Sequence, residues 1–459
     1  MATEQATPAA SEIVSQQTGL VRGLGLKEAT AANVVEMVGI GPFITIPFLL
    51  SAMHGPQALL GWLVGAVLAV SDGLVWAELG AAMPGAGGSY VYLREAYDPK
   101  RMGQLMGFLF VWMILFTAPL SAATGGVGFA EYLRYFVPSL GHWGTVAVAI
   151  VVVALVTAMV YRDIQTLGRL SFWLMLIVLA SIVWIIISGV FKLKISMVTA
   201  FPPHAFALSH QFFLGLGSAS LIAIYGYGGY NNVCYLGAEV KNPTRNIPRA
   251  VILSILLVAV LYFFMTVSII GVVPWQQAVA SQHVVSDFMQ LIYGHWAAQV
   301  MTALILGAAF ASLFALMLGM SRIPYAAAVE GQFFKPFAKL HPKGHFPSVS
   351  ILTLGALSGF FCFFQLANII QILMVIQVIL LFLAQILAVT LIRRYRKDIE
   401  RPFKMWLYPL PSIAAATLWL LVLVSTGWKL VAIGLGVLAV GVSLYVLRAR
   451  TLRQWPFAA

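Results

Sequence analysis

The sequence predicts an all-α polytopic membrane protein with twelve transmembrane helices. Of its 459 residues, 61% are hydrophobic and only 9% are charged, whereas soluble domains carry about 25% charged residues. The chain also contains twelve apolar runs, and a helix needs about 20 apolar residues to cross a bilayer. Finally, glycine clusters interrupt two of these runs, at residues 38–43 (VGIGPF) and 225–231 (YGYGGYN).

The apolar runs give the order of the predicted helices. Short connections rich in glycine, proline and basic residues separate them. Residues 1–20 are polar and lack a signal-peptide pattern, so we predict that residues 1–22 form a disordered cytoplasmic tail. The predicted spans are 30–53, 56–82, 103–133, 144–161, 168–190, 211–239, 249–273, 292–323, 347–366, 369–392, 408–427 and 430–448.

The basic residues predict the orientation of the chain. With the N-terminus inside, only four of the 27 Lys and Arg residues fall in outside connections, namely Arg134, Lys192, Lys194 and Lys429. This asymmetry predicts a multi-pass plasma-membrane protein with both termini in the cytoplasm. It also explains the net charge of +12 without a nucleic-acid partner, because nucleic-acid binders cluster basic residues on one folded face.

The two glycine clusters predict interrupted helices. Glycine costs about 1 kcal/mol in a helix interior, and Pro42 has no N–H group to continue the hydrogen-bond ladder. The breaks fall in helices 1 and 6, five helices apart, so the second copy runs in the opposite direction. We therefore predict an inverted repeat of residues 23–195 and 205–395, with helices 11 and 12 appended at 405–459, and a binding site at the repeat interface.

The ends of the interrupted helices predict the charge of the ligand. The second half of helix 1 begins just after Gly41, so its free N–H groups and positive dipole end suit an anion such as a carboxylate. The first half of helix 6 ends near Gly226, where free carbonyls suit an ammonium group. The alternative is that these glycines serve only in helix packing. Two glycine clusters at equivalent positions of the two repeats favour the binding-site interpretation over helix packing alone.

Aromatic and acidic residues near the breaks are further candidates. Tyr225, Tyr227 and Tyr230 either close over a substrate or pack in the core, and we choose Tyr225 as the gate. Glu36 precedes Gly39 by one turn, and an acid at membrane depth costs about 2.5–3.5 kcal/mol on insertion scales. It therefore binds a substrate amine, carries a proton, or forms a structural hydrogen bond.

Three other acids are candidates for gating or coupling. Asp72 lies in helix 2, where the alternative is a hydrogen bond to a helix backbone. Glu78 and Glu239 lie near basic inside loops, so we expect either an inner gate or a structural ion pair. Ser312 in helix 8 offers one hydroxyl to a sodium site. The coupling ion is therefore a proton or sodium.

Several other chemistries have no signature in the sequence. It has no P-loop for ATP and no His-Glu-x-x-His or Cys-x-x-Cys motif for a metal. Cys234 and Cys362 lie inside apolar runs, and the eight histidines fall in or near loops. We therefore expect no metal, no cofactor and no enzymatic activity.

Three groups of residues together resemble the amino acid–polyamine–organocation (APC) superfamily of transporters. The first break resembles its glycine-rich helix 1 motif, with Ile40 in place of the usual small polar residue. Residues 77–80 (AELG) with the glycines and tyrosines up to residue 96 are similar to its helix 2–3 signature. Residues 227–231 (YGGYN) and 239–250 (EVKNPTRNIPRA) are similar to its helix 6–7 signature.

The resemblance implies a LeuT-type fold of five-plus-five inverted repeats and secondary transport of amino acids or related amines by alternating access. It implies that the substrate carboxylate meets the Gly39–Gly41 backbone and that the amino group meets carbonyls near Ile224–Gly226. Many relatives carry a lysine in helix 5, which is absent between Arg169 and Lys192. The predicted substrate-binding residues are Glu36, Gly39, Ile40, Gly41, Ile224, Tyr225, Gly226, Tyr227 and Gly228.

The sequence thus predicts a permease for amino acids, by symport or exchange. Glu36 makes the first helix similar to that of the polyamine-transporting branch, so a transporter of polyamines or other cationic amines is the alternative. A channel or a non-transporting receptor of the same fold is a more distant alternative.

Overall fold

The computed structural model describes residues 22–85, 87–161, 167–342 and 346–457. Within these ranges the regular structure is helical, and extended pairing is limited to a bridge between Leu24 and Val240. The all-α prediction is therefore confirmed for this part of the chain. The predicted cytoplasmic tail lies almost wholly outside the described residues.

The helices follow the predicted runs closely. Three 3₁₀ turns, Pro56–Ala58, Gly237–Glu239 and Lys335–Ala338, and a π-helical turn, Gln377–Phe382, lie between them. The helices are α1 (Leu26–Met37), α2 (Gly41–Met53), α3 (Leu59–Ala82), α4 (Ser89–Ala96), α5 (Met102–Leu133), α6 (His142–Val160), α7 (Leu167–Lys192), α8 (Ile195–Val198), α9 (His210–Tyr227), α10 (Asn232–Tyr235), α11 (Pro243–Ile270), α12 (Trp275–Ala280), α13 (Val284–Tyr293), α14 (His295–Met320), α15 (Arg322–Val329), α16 (Ser348–Phe361), α17 (Leu366–Ile376), α18 (Leu383–Tyr395), α19 (Leu410–Ser425) and α20 (Trp428–Leu452).

The length and apolarity of these helices identify a polytopic membrane protein. In the described ranges, six helices are long and apolar enough to cross a membrane, or seven when α1 and α2 count as one bent span. Shorter apolar helices include α16, α17 and α19. The coarse prediction is confirmed, and the number twelve stays a prediction.

The first predicted break is present between α1 and α2. The two helices meet at a bend of 50°, and Pro42 stands in the first turn of α2, where a missing N–H group is tolerated. Gly39 permits close packing against α14, because a Cβ atom there would lie 2.6 Å from the Ser312 hydroxyl oxygen. The break therefore depends both on the missing N–H group of Pro42 and on the absence of a side chain at Gly39.

The second break begins later than the sequence indicated. Helix α9 continues through Gly226 and ends at Tyr227, and a single short helix, α10, follows the turn. Gly226 stays helical and serves in packing, because a Cβ atom there would lie 3.1 Å from the Trp62 ring. The helix therefore ends one residue after the expected position, and the interruption at residues 228–231 lies within the predicted break at 225–231.

The two breaks are tied together by a buried amide. The Asn33 Nδ2 group of α1 donates to the Tyr230 carbonyl at 2.7 Å and to the Ser254 hydroxyl at 3.2 Å. Its Oδ1 atom accepts from the Val233 N–H group at 2.8 Å. One side chain thus fixes the chain after α9 against α1 and α11.

Glu78 forms an ion pair that joins distant parts of the chain. Its carboxylate accepts from Arg393 Nε at 2.8 Å and Nη2 at 2.5 Å, and from the Met405 N–H group at 2.8 Å. This pair fixes α3 to α18 and to the segment before α19, as the ion-pair alternative predicted. The side chain of Glu239 lies outside what the structure describes.

Candidate functional site

A cavity of about 130 Å³ lies between the two breaks. Its walls come from α1, α2, the end of α9, α5, α14, α17, the π-helical turn and α19. Its polar lining residues are Glu36, Thr117, Ser121, Tyr225, Tyr230, Asn231, Tyr235, Ser312 and Gln377. The others are Met37, Gly39, Ile40, Gly41, Ile114, Ala118, Gly125, Ile224, Gly228, Gly229, Leu313, Leu316, Met320, Leu373, Met374, Leu381, Phe382 and Trp419.

The first break presents free backbone donors to this cavity. The N–H groups of Phe43 and Ile44 both bond to the Ile40 carbonyl. The N–H groups of residues 39–41 have no backbone acceptor among the described residues, and all three residues line the cavity. Three adjacent donors at a helix N-terminus attract an anion.

The end of α9 presents carbonyl oxygens on the opposite side. The carbonyls of a last helical turn lack the donors that a continuing helix would supply. The Gly228 N–H group bonds to the Tyr225 carbonyl at 3.1 Å, three residues back, and Ile224, Tyr225 and Gly228 all line the cavity. This end therefore favours a cation.

Glu36 is the only charged side chain among the described residues that line the cavity. It forms no hydrogen bond or ion pair with any other described residue. Its position depends on Gly229, which has a φ of +110° and where a Cβ atom would lie 2.6 Å from the Glu36 Cγ atom. An acid in such a place needs a positive or hydrogen-bonding partner, and the cavity is where that partner fits.

The predicted tyrosines have different positions. Tyr225 lines the cavity, and its ring would lie 3.4 Å from a Cβ atom built on Gly41. Tyr227 lies behind the wall, where its hydroxyl donates to the Trp62 carbonyl at 3.1 Å and its ring stacks on Tyr262. The structure therefore brings Tyr225 to the site and leaves Tyr227 in the core.

Asp72 also lies behind the cavity wall. It is fully buried, and its partners are aromatic side chains instead of the helix backbone suggested as the alternative. Its carboxylate accepts from the Tyr230 hydroxyl at 2.6 Å and from the indole N–H groups of Trp76 at 2.9 Å and Trp419 at 3.4 Å.

Ser312 lies at the contact between α14 and the first break. Its hydroxyl donates to the Ala309 carbonyl at 3.2 Å. It also lines a second cavity of about 10 Å³, whose other lining residues are Val34, Val35, Val38, Val178, Leu179, Ala308 and Ala311. Ser312 thus supplies the single side-chain oxygen of that small cavity, whereas hard cations bind through several oxygen atoms.

Sequence reasoning missed several residues that build the site. Asn33 is a polar amide inside the first apolar run, one turn before Glu36, and this was an available signal. Phe382 and Trp419 lie in apolar runs, and no motif beside them indicates a role in a site. Trp419 reaches the cavity from α19, which follows the ten helices of the predicted repeat, so no pattern within that repeat indicates it.

Known proteins with similar sequences are amino acid permeases and transporters. The amino acid permease family matches residues 24–447. The chain is 24% identical to the branched-chain amino acid permease BcaP of Bacillus subtilis over 95% of each protein. It is 26% identical to the serine/threonine exchanger SteT of the same organism, over 90% of this chain and 92% of that protein. It is 27% identical to the cationic amino acid transporter 4 of Homo sapiens, over 75% of this chain and 56% of that protein.

We predict that Gly229→Ala lowers stability by about 2 kcal/mol or more. A left-handed backbone costs a side-chain residue about 1–3 kcal/mol, and the added Cβ atom would meet Glu36 at 2.6 Å. Thermal unfolding of the detergent-purified protein measures the loss. Gly436→Ala in α20 is the matched control, because no atom lies within 4 Å of its Cβ position. Equal unfolding temperatures for Gly229→Ala and wild type would contradict this packing.

Proposed function

Because this chain belongs to the amino acid permease family of the APC superfamily, we propose that it carries amino acids across the plasma membrane as a secondary transporter. The observation that supports the proposal best is the cavity between the two helix breaks, where free N–H groups of residues 39–41 and the last turn of α9 share one small space. Such a cavity offers separate places for the two charges of a zwitterion.

The proposed substrate pose follows from these charges. The carboxylate of the substrate accepts from the N–H groups of residues 39–41. The ammonium group lies near the last turn of α9, at the Ile224 carbonyl. A water molecule needs roughly 10–15 Å³ of such space, so a cavity of about 130 Å³ has room for roughly ten non-hydrogen atoms, the size of an amino acid.

Transport by alternating access is consistent with the fold that the resemblance implies. We propose twelve spans in a LeuT-type five-plus-five inverted repeat, with both termini in the cytoplasm. The bend of 50° between α1 and α2 and the interruption after Tyr227 support it. Tyr225 lies against Gly41 between the breaks, and this position supports its assignment as the gate.

We propose a proton as the coupling ion, with Glu36 as its acceptor. A zwitterion adds no net charge to the cavity, so a proton on Glu36 makes the loaded cavity neutral, and its release on the other side couples the proton gradient to transport. Sodium is the less supported ion, because the small cavity beside Ser312 supplies one side-chain oxygen.

A second candidate function is transport of cationic amino acids or polyamines. The unpaired carboxylate of Glu36 supports it, since a cationic side chain would neutralise that charge directly. The similarity to a protein named cationic amino acid transporter 4 points in the same direction.

We expect purified protein in proteoliposomes to take up a labelled amino acid and to show counterflow. A carrier exchanges labelled for unlabelled substrate across the membrane, whereas a channel dissipates the gradient without exchange. Liposomes without protein are the control. Uptake without counterflow would favour a channel, and the absence of both uptake and binding for all amino acids and polyamines would reject the transporter proposal.

We expect Glu36→Gln to separate the two roles of this carboxylate. If it binds a cationic side chain, uptake of lysine falls about ten- to hundredfold and uptake of a neutral amino acid changes little, because a hydrogen bond to a charged group contributes about 1.5–3 kcal/mol. If it carries the proton, the pH dependence of neutral uptake disappears. Glu131→Gln is the matched control, because Glu131 pairs with Arg134 away from the cavity. An equal loss for both substrates at every pH would reject both roles.

A further inference from the structure

Asp72 holds three aromatic side chains from three parts of the chain. Its Oδ2 atom accepts from Trp76 within α3 and from Tyr230 after α9, and its Oδ1 atom accepts from Trp419 in α19. All three donors are neutral, and no ion pair joins Asp72 to another described residue. The carboxylate is therefore held by hydrogen bonds alone.

Two of these donors belong to the wall of the cavity, although Asp72 does not. Tyr230 and Trp419 both line it, and so does Phe382 in the π-helical turn. The Phe382 and Trp419 rings stack with centroids 4.1 Å apart and an angle of 11° between their planes. Asp72 thus fixes one wall residue in the second break and one in α19 and, through the stack, a third.

The wall around this stack is mostly apolar, with Gln377 as its polar residue. Leu373, Met374 and Leu381 line the cavity on the same stretch of chain as Phe382. The charged ends of a substrate are drawn to residues 39–41 and to the end of α9, so the apolar stretch remains for its side chain. An apolar surface of this kind stabilises a large apolar side chain by removing it from water.

We infer that Asp72 is a positioning residue for substrate specificity and that the substrate side chain packs on Phe382, which Trp419 supports from behind, so that the site favours amino acids with large apolar side chains. The inference rests on the proposed function, because it assigns the side-chain part of the same site. It also gives α19 a supporting share in substrate recognition through Trp419.

Only a carboxylate matches this set of partners. Both of its oxygens are acceptors, so it serves donors on each side. An asparagine at position 72 would turn an N–H group toward either Trp419 or the pair Trp76 and Tyr230. Asp72→Asn therefore leaves at least one buried donor facing another donor, and the aromatic wall shifts.

The test compares uptake of leucine, phenylalanine and alanine by the proteoliposome-reconstituted protein. For Asp72→Asn we expect the KM for leucine and phenylalanine to rise about tenfold relative to that for alanine, while the Vmax for alanine stays within about twofold. A merely structural role would lower Vmax for all three substrates and leave the KM ratios unchanged, which would overturn the inference.

Two tryptophan variants keep the test decisive if Asp72→Asn does not fold. Trp419→Phe removes one hydrogen bond to Asp72 from a ring that lines the cavity, and we expect the same change in the KM ratios. Trp76→Phe removes a hydrogen bond to the same carboxylate from a ring outside the cavity lining, so its KM ratios should match wild type. Equal shifts in both variants would overturn the inference.

The wild-type protein separates this inference from the proposed function. Uptake of amino acids with no preference for leucine and phenylalanine over alanine would overturn the specificity assignment and leave the transporter proposal standing. Failure to take up or bind any amino acid would overturn both.

Discussion

The need to satisfy backbone hydrogen bonds at membrane depth governs this structure. Lipid offers no partner to an exposed N–H or carbonyl group, so an interrupted helix is tolerated only where protein or a polar cavity surrounds it. Side chains satisfy two carbonyl groups near the first break. The Tyr262 hydroxyl donates to the Met37 carbonyl at 2.6 Å, and the Tyr132 hydroxyl donates to the Phe43 carbonyl at 2.8 Å. The N–H groups of residues 39–41 are left for the cavity.

The contrast between satisfied and unsatisfied groups separates scaffold from site. Buried Asn33 and Asp72 have partners on both sides and hold the chain after α9, α11 and α19 in place. Glu36 also lies in the apolar interior, yet it has no hydrogen-bonding or charged partner among the described residues. Glu36 and the three N–H groups differ from Asn33 and Asp72 because they face the cavity, where a ligand can supply the missing partners.

The sequence predicts features that depend on local chemistry and misses those that depend on distant neighbours. The first break follows from Gly39, Gly41 and Pro42, all within one turn. The second break lies within the predicted residues 225–231, although the helix before it continues through Gly226, which packs against Trp62. Trp76 lies one helical turn from Asp72, but the partners Tyr230 and Trp419 lie 158 and 347 residues away, so no local pattern indicates them.

Competition binding with a labelled amino acid tests the central claim most directly. The competitors are the best-transported amino acid, its carboxamide and the amine that lacks the carboxyl group. Backbone donors that hold a carboxylate predict that the carboxamide and the amine bind about a hundredfold more weakly than the amino acid, since a hydrogen bond to a charged group contributes about 1.5–3 kcal/mol. Amide and amine affinities within about threefold of the amino acid would contradict the account.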